Sequence, residues 1–258
     1  MTRYVFLIQY QGKNYVGSQI QFDENGNEQP KNTIQGELER AICISLGVKQ
    51  TPNNPRPIKT VFSGRTDAGV NSEGQAVHID LEKTIVASKF IRSINGLLPK
   101  DISISDLHKV ESSFHAQKSA KKRYYQYKLI NRSQRKAFDG DYLRVTNELN
   151  IERMNKALSY LLGEHDFSSF RNNGSSNPYT DCKIYKAECK KDGDFINIEI
   201  VGNRFLYNMV RIIVGTLLKI ERNNMTPEFM KEVLEAQNRT KAGQTVSPTG
   251  LTLMKVEY

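Results

Sequence analysis

Apolar residues in this chain switch between a period of two and a period near 3.6 in the same order twice over, and no other feature limits the possible folds so tightly. Arg3–Tyr10 is dense in β-branched and aromatic residues and reads as a strand. A loop over Phe22–Asn32 leads to a helix with Asn32 as its N-cap and Gln35 three residues on. Its apolar face is Ile34, Leu38, Ala41, Ile42 and Leu46, and Gly47 ends it. Strands at Pro57–Ser63 and Gln75–Leu81 follow, joined by Gly64–Gly74. A helix over Ala87–Leu97 buries Phe90, Ile91 and Ile94 and stops before Pro99, and Ile102–Ser105 alternates as a half-buried strand does. The second half repeats the order. Arg123–Ile130 is a strand, Asn150 caps a helix carrying Met154, Ala157, Leu158 and Leu161 that Gly163 closes, and Cys182–Cys189 and Phe195–Val201 are strands. A helix then spans Arg204–Ile220, a further one starts at Thr226–Pro227, and Leu251–Tyr258 is the last strand. Each half therefore reads β-α-β-β-α-β. The expected class is α+β: two ferredoxin-like halves, residues 1–110 and 111–258, with a mainly antiparallel sheet, helices on one face and a cleft between the halves.

Charge narrows the partners. The 258 residues carry a net +9, which suits a polyanion. From Ser112 to Phe138 there is no Asp or Glu, while Lys118, Lys121, Lys122, Arg123, Lys128, Arg132, Arg135 and Lys136 supply positive charge and Tyr124, Tyr125 and Tyr127 interleave them. Cations that meet phosphates, mixed with rings that stack on bases, suit RNA; a Lys-rich strand edge in water is the plainer alternative. The apolar run Met209–Leu218 is too short to cross a bilayer and is interrupted by Arg211, and no cleavage site follows the N-terminal apolar stretch, so neither a membrane anchor nor a signal peptide is expected. Three irregularly spaced cysteines read as reduced thiols of a cytoplasmic protein. The four histidines have no metal-like spacing, and no Walker loop, dinucleotide fingerprint or nucleophile elbow is present. No metal site is expected.

Two places break the local rules, as functional sites do. The turn Ser63–Gly69 puts Arg65 and Asp67 between glycines directly after an apolar strand, a geometry that lets another molecule approach closely. An Asx-type turn, with Asp67 capping backbone amides, is the competing explanation. The second is Arg211, in the Phe205–Leu218 segment that is apolar on nearly every face. A buried guanidinium needs a carboxylate or phosphate. Asp67 is the expected partner, held ionised by the pair; snorkelling or a backbone carbonyl is the alternative.

These residues resemble a known family. GRTDAGV at Gly64–Val70 followed by GQAVHID at Gly74–Asp80 is similar to the active-site loop of the TruA family of tRNA pseudouridine synthases. The likeness continues through Asn14–Gln21, Thr33–Ala41, Ile94–Ile102, Ser113–Ala116, Arg123–Tyr127, Asp166–Arg171, Phe205–Gly215 and the closing GLTLMKVEY. The resemblance implies isomerisation of uridine at positions 38, 39 and 40 of the tRNA anticodon stem-loop, without cofactor, by a cytoplasmic homodimer. It implies Asp67 as the essential carboxylate, Arg211 as its basic partner, and Tyr125 as the ring that packs on the target base or sugar. Arg65 would help the uridine leave its stack, and Lys121, Lys122 and Arg123 would join it in binding substrate. Two residues depart from the family pattern: Asn71 stands where His is usual, and Ser18 where Trp is usual. A non-catalytic RNA-binding protein, or a synthase with another RNA target, are the rival expectations.

Overall fold

In a computed structural model of the chain, residues 1–22, 28–29, 32–51, 54–174 and 178–258 are described. Most of the loop expected at Phe22–Asn32 lies outside them. The chain divides into two compact units, Met1–Lys121 with Leu253–Tyr258, and Lys122–Thr252. The class is α+β with mainly antiparallel strand pairing.

The first unit contains β1 (Thr2–Tyr10), the two-residue strands β2 (Gln21–Phe22) and β3 (Glu28–Gln29), α1 (Ile34–Leu46), β4 (Thr60–Phe62), β5 (Asn71–Leu81), α2 (Ala87–Leu97) and β6 (Ile102–Val110). Strand β1 lies between β6 and β5, and β4 adds to β5, every pair antiparallel. Tyr4, Phe6, Ile8 and Tyr10 point to one face of β1 and share a core with Ile34, Leu38 and Ile42 of α1 and Phe90 and Ile94 of α2. Both helices therefore cover the same side of the sheet, as period-two alternation requires of its apolar face. Ile91, expected in that core, is only half-buried against it. The cap of α1 is Thr33, whose hydroxyl accepts from the Gly36 amide at 3.0 Å. Asn32, expected as the cap, is one residue outside, at φ +60. Gln35 turns inward instead of closing a capping box: its amide donates to Glu39 and to the Thr60 carbonyl, at 3.0 and 2.9 Å.

The second unit contains β7 (Lys122–Asn131), β8 (Leu143–Val145), α3 (Ile151–Ser159), β9 (Gly163–Asp166), β10 (Asp181–Asp192), β11 (Phe195–Gly202), α4 (Met209–Arg222) and α5 (Phe229–Glu235). Its strands run β8-β7-β11-β10-β9, with β7–β8 the parallel pair. The chain closes with β12 (Leu251–Glu257). Asn150 caps α3 as expected, accepting from the Arg153 amide at 2.9 Å. Arg153 in turn grips Glu221 of α4 through two contacts of 2.6 and 2.9 Å, and the Asn150 amide donates to the same carboxylate. A nearly buried acid with three donors is satisfied, so it ties α3 to α4 without leaving a bare charge. Gly163 does not close α3, which ends at Ser159; at φ +101 it opens β9. Helix α4 begins five residues later than the apolar pattern suggests, because Asn208 takes a left-handed conformation (φ +61) and starts it.

Candidate active site

In the first unit the Gly64–Val70 turn is held by side chains from three separate segments: β5, β1 and the loop after β1. Gln75 on β5 is fully buried. Its Nε2 donates to the Gly64 carbonyl at 2.9 Å and to the Tyr10 hydroxyl at 3.3 Å, while its Oε1 accepts from Ser63 at 2.6 Å. The Tyr10 hydroxyl bonds the Thr66 hydroxyl at 2.8 Å, and burial pushes its pKa up to about 12, so it stays protonated. Ser18 closes the third side: its hydroxyl accepts from the Thr66 amide at 2.8 Å, and its own amide donates to the Thr66 carbonyl at 3.1 Å. Past Thr66 the chain reverses, with the Val70 amide donating to the Asp67 carbonyl at 3.2 Å and Gly69 at φ +79 supplying the left-handed step.

Asp67 is half-buried at the tip of this turn, next to exposed Ala68. Arg65 is exposed, and its Nε donates to Gln19 Oε1. The two departures from the family pattern are both built in. Ser18, 1% exposed, is part of the clamp just described, and Asn71 accepts the Gly12 amide at 2.9 Å through Oδ1. Sequence reading missed Tyr10, Thr66 and Gln75 as loop supports; the visible signal was a lone amide at Gln75 leading into Ala76 and Val77 of an otherwise buried-looking strand. Nearby, His78 is 4% exposed and accepts the Ala116 amide at Nδ1, 3.1 Å away. Burial lowers its pKa to about 4, so at neutral pH it is an uncharged acceptor that fixes the Ser113–Ala116 segment. Lys121 is exposed, with its amide donating to the Glu257 carbonyl at 2.8 Å.

In the second unit, strand alternation separates the expected RNA contacts. Arg123, Tyr125 and Tyr127 project from one face of β7 and Lys122 from the other. Arg123 donates to the Asn203 carbonyl at 2.5 Å. Tyr125 is 9% exposed and stands edge-on to Phe205, ring centres 5.0 Å apart. Tyr127 is completely buried and donates to the Ser247 carbonyl at 2.9 Å. Arg211, half-buried on α4, donates from Nε to the neighbouring Val246 carbonyl at 2.8 Å. Burial holds the Tyr127 phenol above its usual range, and the positive charge of Arg211 works against that shift. One segment, residues 246–247, thus anchors both the β7 tyrosine and the α4 arginine.

All three cysteines are buried thiols, and burial pushes Cys182 and Cys189 up to about 12, which makes them inert rather than nucleophilic. Among the described residues no cluster of three or more His, Cys, Asp or Glu could hold a metal, and no helix is long and apolar enough to cross a membrane. What the two units offer is one half-exposed carboxylate on a fixed turn and one arginine anchored on a buried helix.

Comparison with known proteins places the chain among relatives of one family. The family described as tRNA pseudouridine synthase matches residues 157–258. Proteins named tRNA pseudouridine synthase A align over essentially the whole chain. The one from Anoxybacillus flavithermus is 39% identical over 262 residues, covering 100% of this chain and 99% of its own. That from Ehrlichia chaffeensis is 41% identical over 266 residues, covering 99% and 100%, and that from Thermoanaerobacter sp. is 38% identical over 261 residues, covering both fully. With identity this high along the full length, the chain belongs to the tRNA pseudouridine synthase A (TruA) family.

Proposed function

We propose that this chain isomerises uridine to pseudouridine in transfer RNA, at positions 38, 39 and 40 of the anticodon stem-loop, with Asp67 as the catalytic carboxylate. The observation that carries the reading is the Gly64–Val70 turn, clamped by Gln75, Tyr10 and Ser18 so that Asp67 sits half-exposed at its tip. Catalysis by one placed group needs that fixity, since small misplacement of a reacting group costs orders of magnitude in rate.

The target uridine leaves its stack, because the glycosidic bond is out of reach within one. Arg65 takes part in that step. Asp67 starts cleavage of the C1′–N1 bond, by attacking the nucleoside or by taking a sugar proton. The uracil turns, C5 joins C1′, the C5 proton is lost and N1 gains one. Atoms and electrons balance within the nucleoside, so the reaction calls for neither oxidant nor reductant, and no cofactor is assigned. In this reading Arg211 pairs with Asp67 and keeps it ionised, Tyr125 packs against the base, and Lys121, Lys122 and Arg123 meet phosphates. The same proposal places the turn on a first ferredoxin-like half and the basic strand and arginine helix on a second. The enzyme acts as a homodimer in the cytoplasm.

The test is pseudouridine mapping by carbodiimide-adduct primer extension on an unmodified tRNA transcript. Wild-type protein is expected to mark positions 38–40, and Asp67→Asn to mark none while still binding the transcript. Full activity in Asp67→Asn would remove Asp67 from the chemistry, and modification of a ribosomal fragment in place of tRNA would redirect the substrate assignment.

A further inference from the structure

Between α5 and β12 lies a guanidinium that the catalytic reading does not use. Arg239 is half-buried in the segment after α5. Its Nε donates to Asn172 Oδ1 at 2.9 Å, one terminal nitrogen to the Gly243 carbonyl at 2.9 Å, and the other to the Thr245 hydroxyl at 3.2 Å. All three acceptors are neutral, and a guanidinium has more N–H groups than these contacts occupy. Among the described residues Arg239 meets no carboxylate. Other partly buried arginines are matched by acids. Arg56 grips Glu39 and Glu28 at 2.6 and 2.7 Å, Arg153 grips Glu221 at 2.6 Å, and Arg3 grips Asp80 at 2.6 Å. Their carboxylates hold those guanidiniums above the usual pKa, whereas burial pulls that of Arg239 down.

The backbone that aims this side chain is fixed. Asn238 Oδ1 accepts the Thr240 amide and hydroxyl at 3.0 and 2.8 Å, and the Asn238 amide donates to Ser169 Oγ at 2.7 Å. The Ala242 amide closes the turn on the Arg239 carbonyl at 3.3 Å. Asn172 is held as firmly, since its Nδ2 donates to Asn208 Oδ1 at 2.8 Å and to the Thr245 hydroxyl at 3.1 Å. A planar fork oriented by neutral groups keeps its full charge for an incoming anion, and its geometry suits phosphate. Thr245 directly precedes Val246, whose carbonyl holds Arg211, so the fork and the catalytic arginine share one segment.

We propose that Arg239, framed by Asn172 and Thr245, binds a backbone phosphate of the tRNA substrate. This rests on the reading that tRNA is the substrate, and deepens it. The competing explanation is a brace, in which Arg239 only ties residues 172, 243 and 245 together.

The experiment uses the full-length protein and an unmodified tRNA transcript, with Kd from filter binding over a salt series and pseudouridine formation measured alongside. Arg239→Gln is expected to raise Kd about fivefold at moderate salt and to flatten the slope of log K against log salt by about one. Arg239→Lys keeps the charge without the fork and is expected to keep the slope. Asn172→Asp separates site from brace. Its carboxylate still accepts from Arg239, so a brace is retained, but the charge offered to RNA is cancelled. The phosphate site predicts the Kd and slope of Arg239→Gln, and the brace predicts wild-type binding. Asn172→Ala loses the same Nδ2 contacts without adding charge and is expected to keep the slope. Lys231→Gln on α5 removes one positive charge away from the fork and is expected to leave the slope unchanged. A wild-type slope in Asn172→Asp, or equal flattening in Lys231→Gln, would overturn the phosphate site. The two proposals fail separately. Protein that binds the transcript through Arg239 yet forms no pseudouridine defeats the catalytic reading and supports the phosphate site, whereas normal pseudouridine formation with a silent Asn172→Asp defeats the phosphate site alone.

Discussion

Gln75 is fully buried, and its side-chain amide meets Ser63 and Gly64 at the base of the turn that carries Asp67, and Tyr10 behind it. Replacing it with Leu would take one partner from the half-buried Gly64 carbonyl and one from the buried Ser63 hydroxyl. A buried polar group that loses a hydrogen-bond partner costs about 1–3 kcal/mol. Gln75→Leu is therefore expected to lower the urea midpoint by an amount equivalent to roughly 2–4 kcal/mol. It should also reduce kcat for pseudouridine formation by more than tenfold with a smaller change in KM, because the carboxylate is displaced rather than removed. A large stability loss with unaltered kcat would confine Gln75 to the fold. Residues of this kind are hard to see in a sequence. The Gly-Arg-Thr-Asp-Ala-Gly string advertises Asp67, but nothing local says that Ser18, far upstream, accepts the Thr66 amide at 2.8 Å. That contact exists only because the fold brings the segments together.

Helix α4 shows the same dependence between elements. A Cβ added at Gly215 would lie 1.8 Å from the Gln244 carbonyl oxygen, so helix and following segment pack backbone to backbone. Thr216 finishes the joint, accepting the Gly243 amide at 2.9 Å and donating to Ile212 at 2.8 Å. Two residues beyond Gln244, the Val246 carbonyl holds Arg211. Gly215→Ala should gain up to about 1 kcal/mol of helix propensity, but the overlap falls on main chain that must shift. The expected net result is destabilisation by about 1–3 kcal/mol, read from urea unfolding, with at least a tenfold fall in kcat as the anchor of Arg211 moves. A variant that is more stable than wild type and fully active would show that residues 243–246 yield freely. Strong periodicity made the long elements legible: α1 and α2 lie where their apolar stripes put them. The start of α4 was not, because Arg204–Asn208 is apolar enough to extend the stripe while the left-handed Asn208 forbids the helix there. Strands β2, β3, β8 and β9 are two to four residues long, too short to show an alternation.

For the whole molecule, the eight cations of the acid-free run overstate what that stretch can offer RNA. Arg132 pairs with Asp139 and with Asp194 at 2.9 Å, and Lys136 pairs with Asp194 at 2.9 Å. Two cations and two carboxylates cancel locally, although the carboxylates lie outside or at the edge of the acid-free run and could not be matched to their partners from the sequence. Lys121, by contrast, is exposed beside the start of β7. Each cation that meets a phosphate releases counterions and steepens the fall of log K with log salt by about 0.9. Measured by filter binding of a tRNA transcript between low and moderate salt, Lys121→Gln is expected to flatten the slope by about one, and Lys136→Gln to leave it where it was. If Lys136→Gln flattened the slope as much as Lys121→Gln, the Asp194 pair would be opening to admit phosphate, and the electrostatic footprint would follow the sequence run rather than the ion pairs of the folded chain.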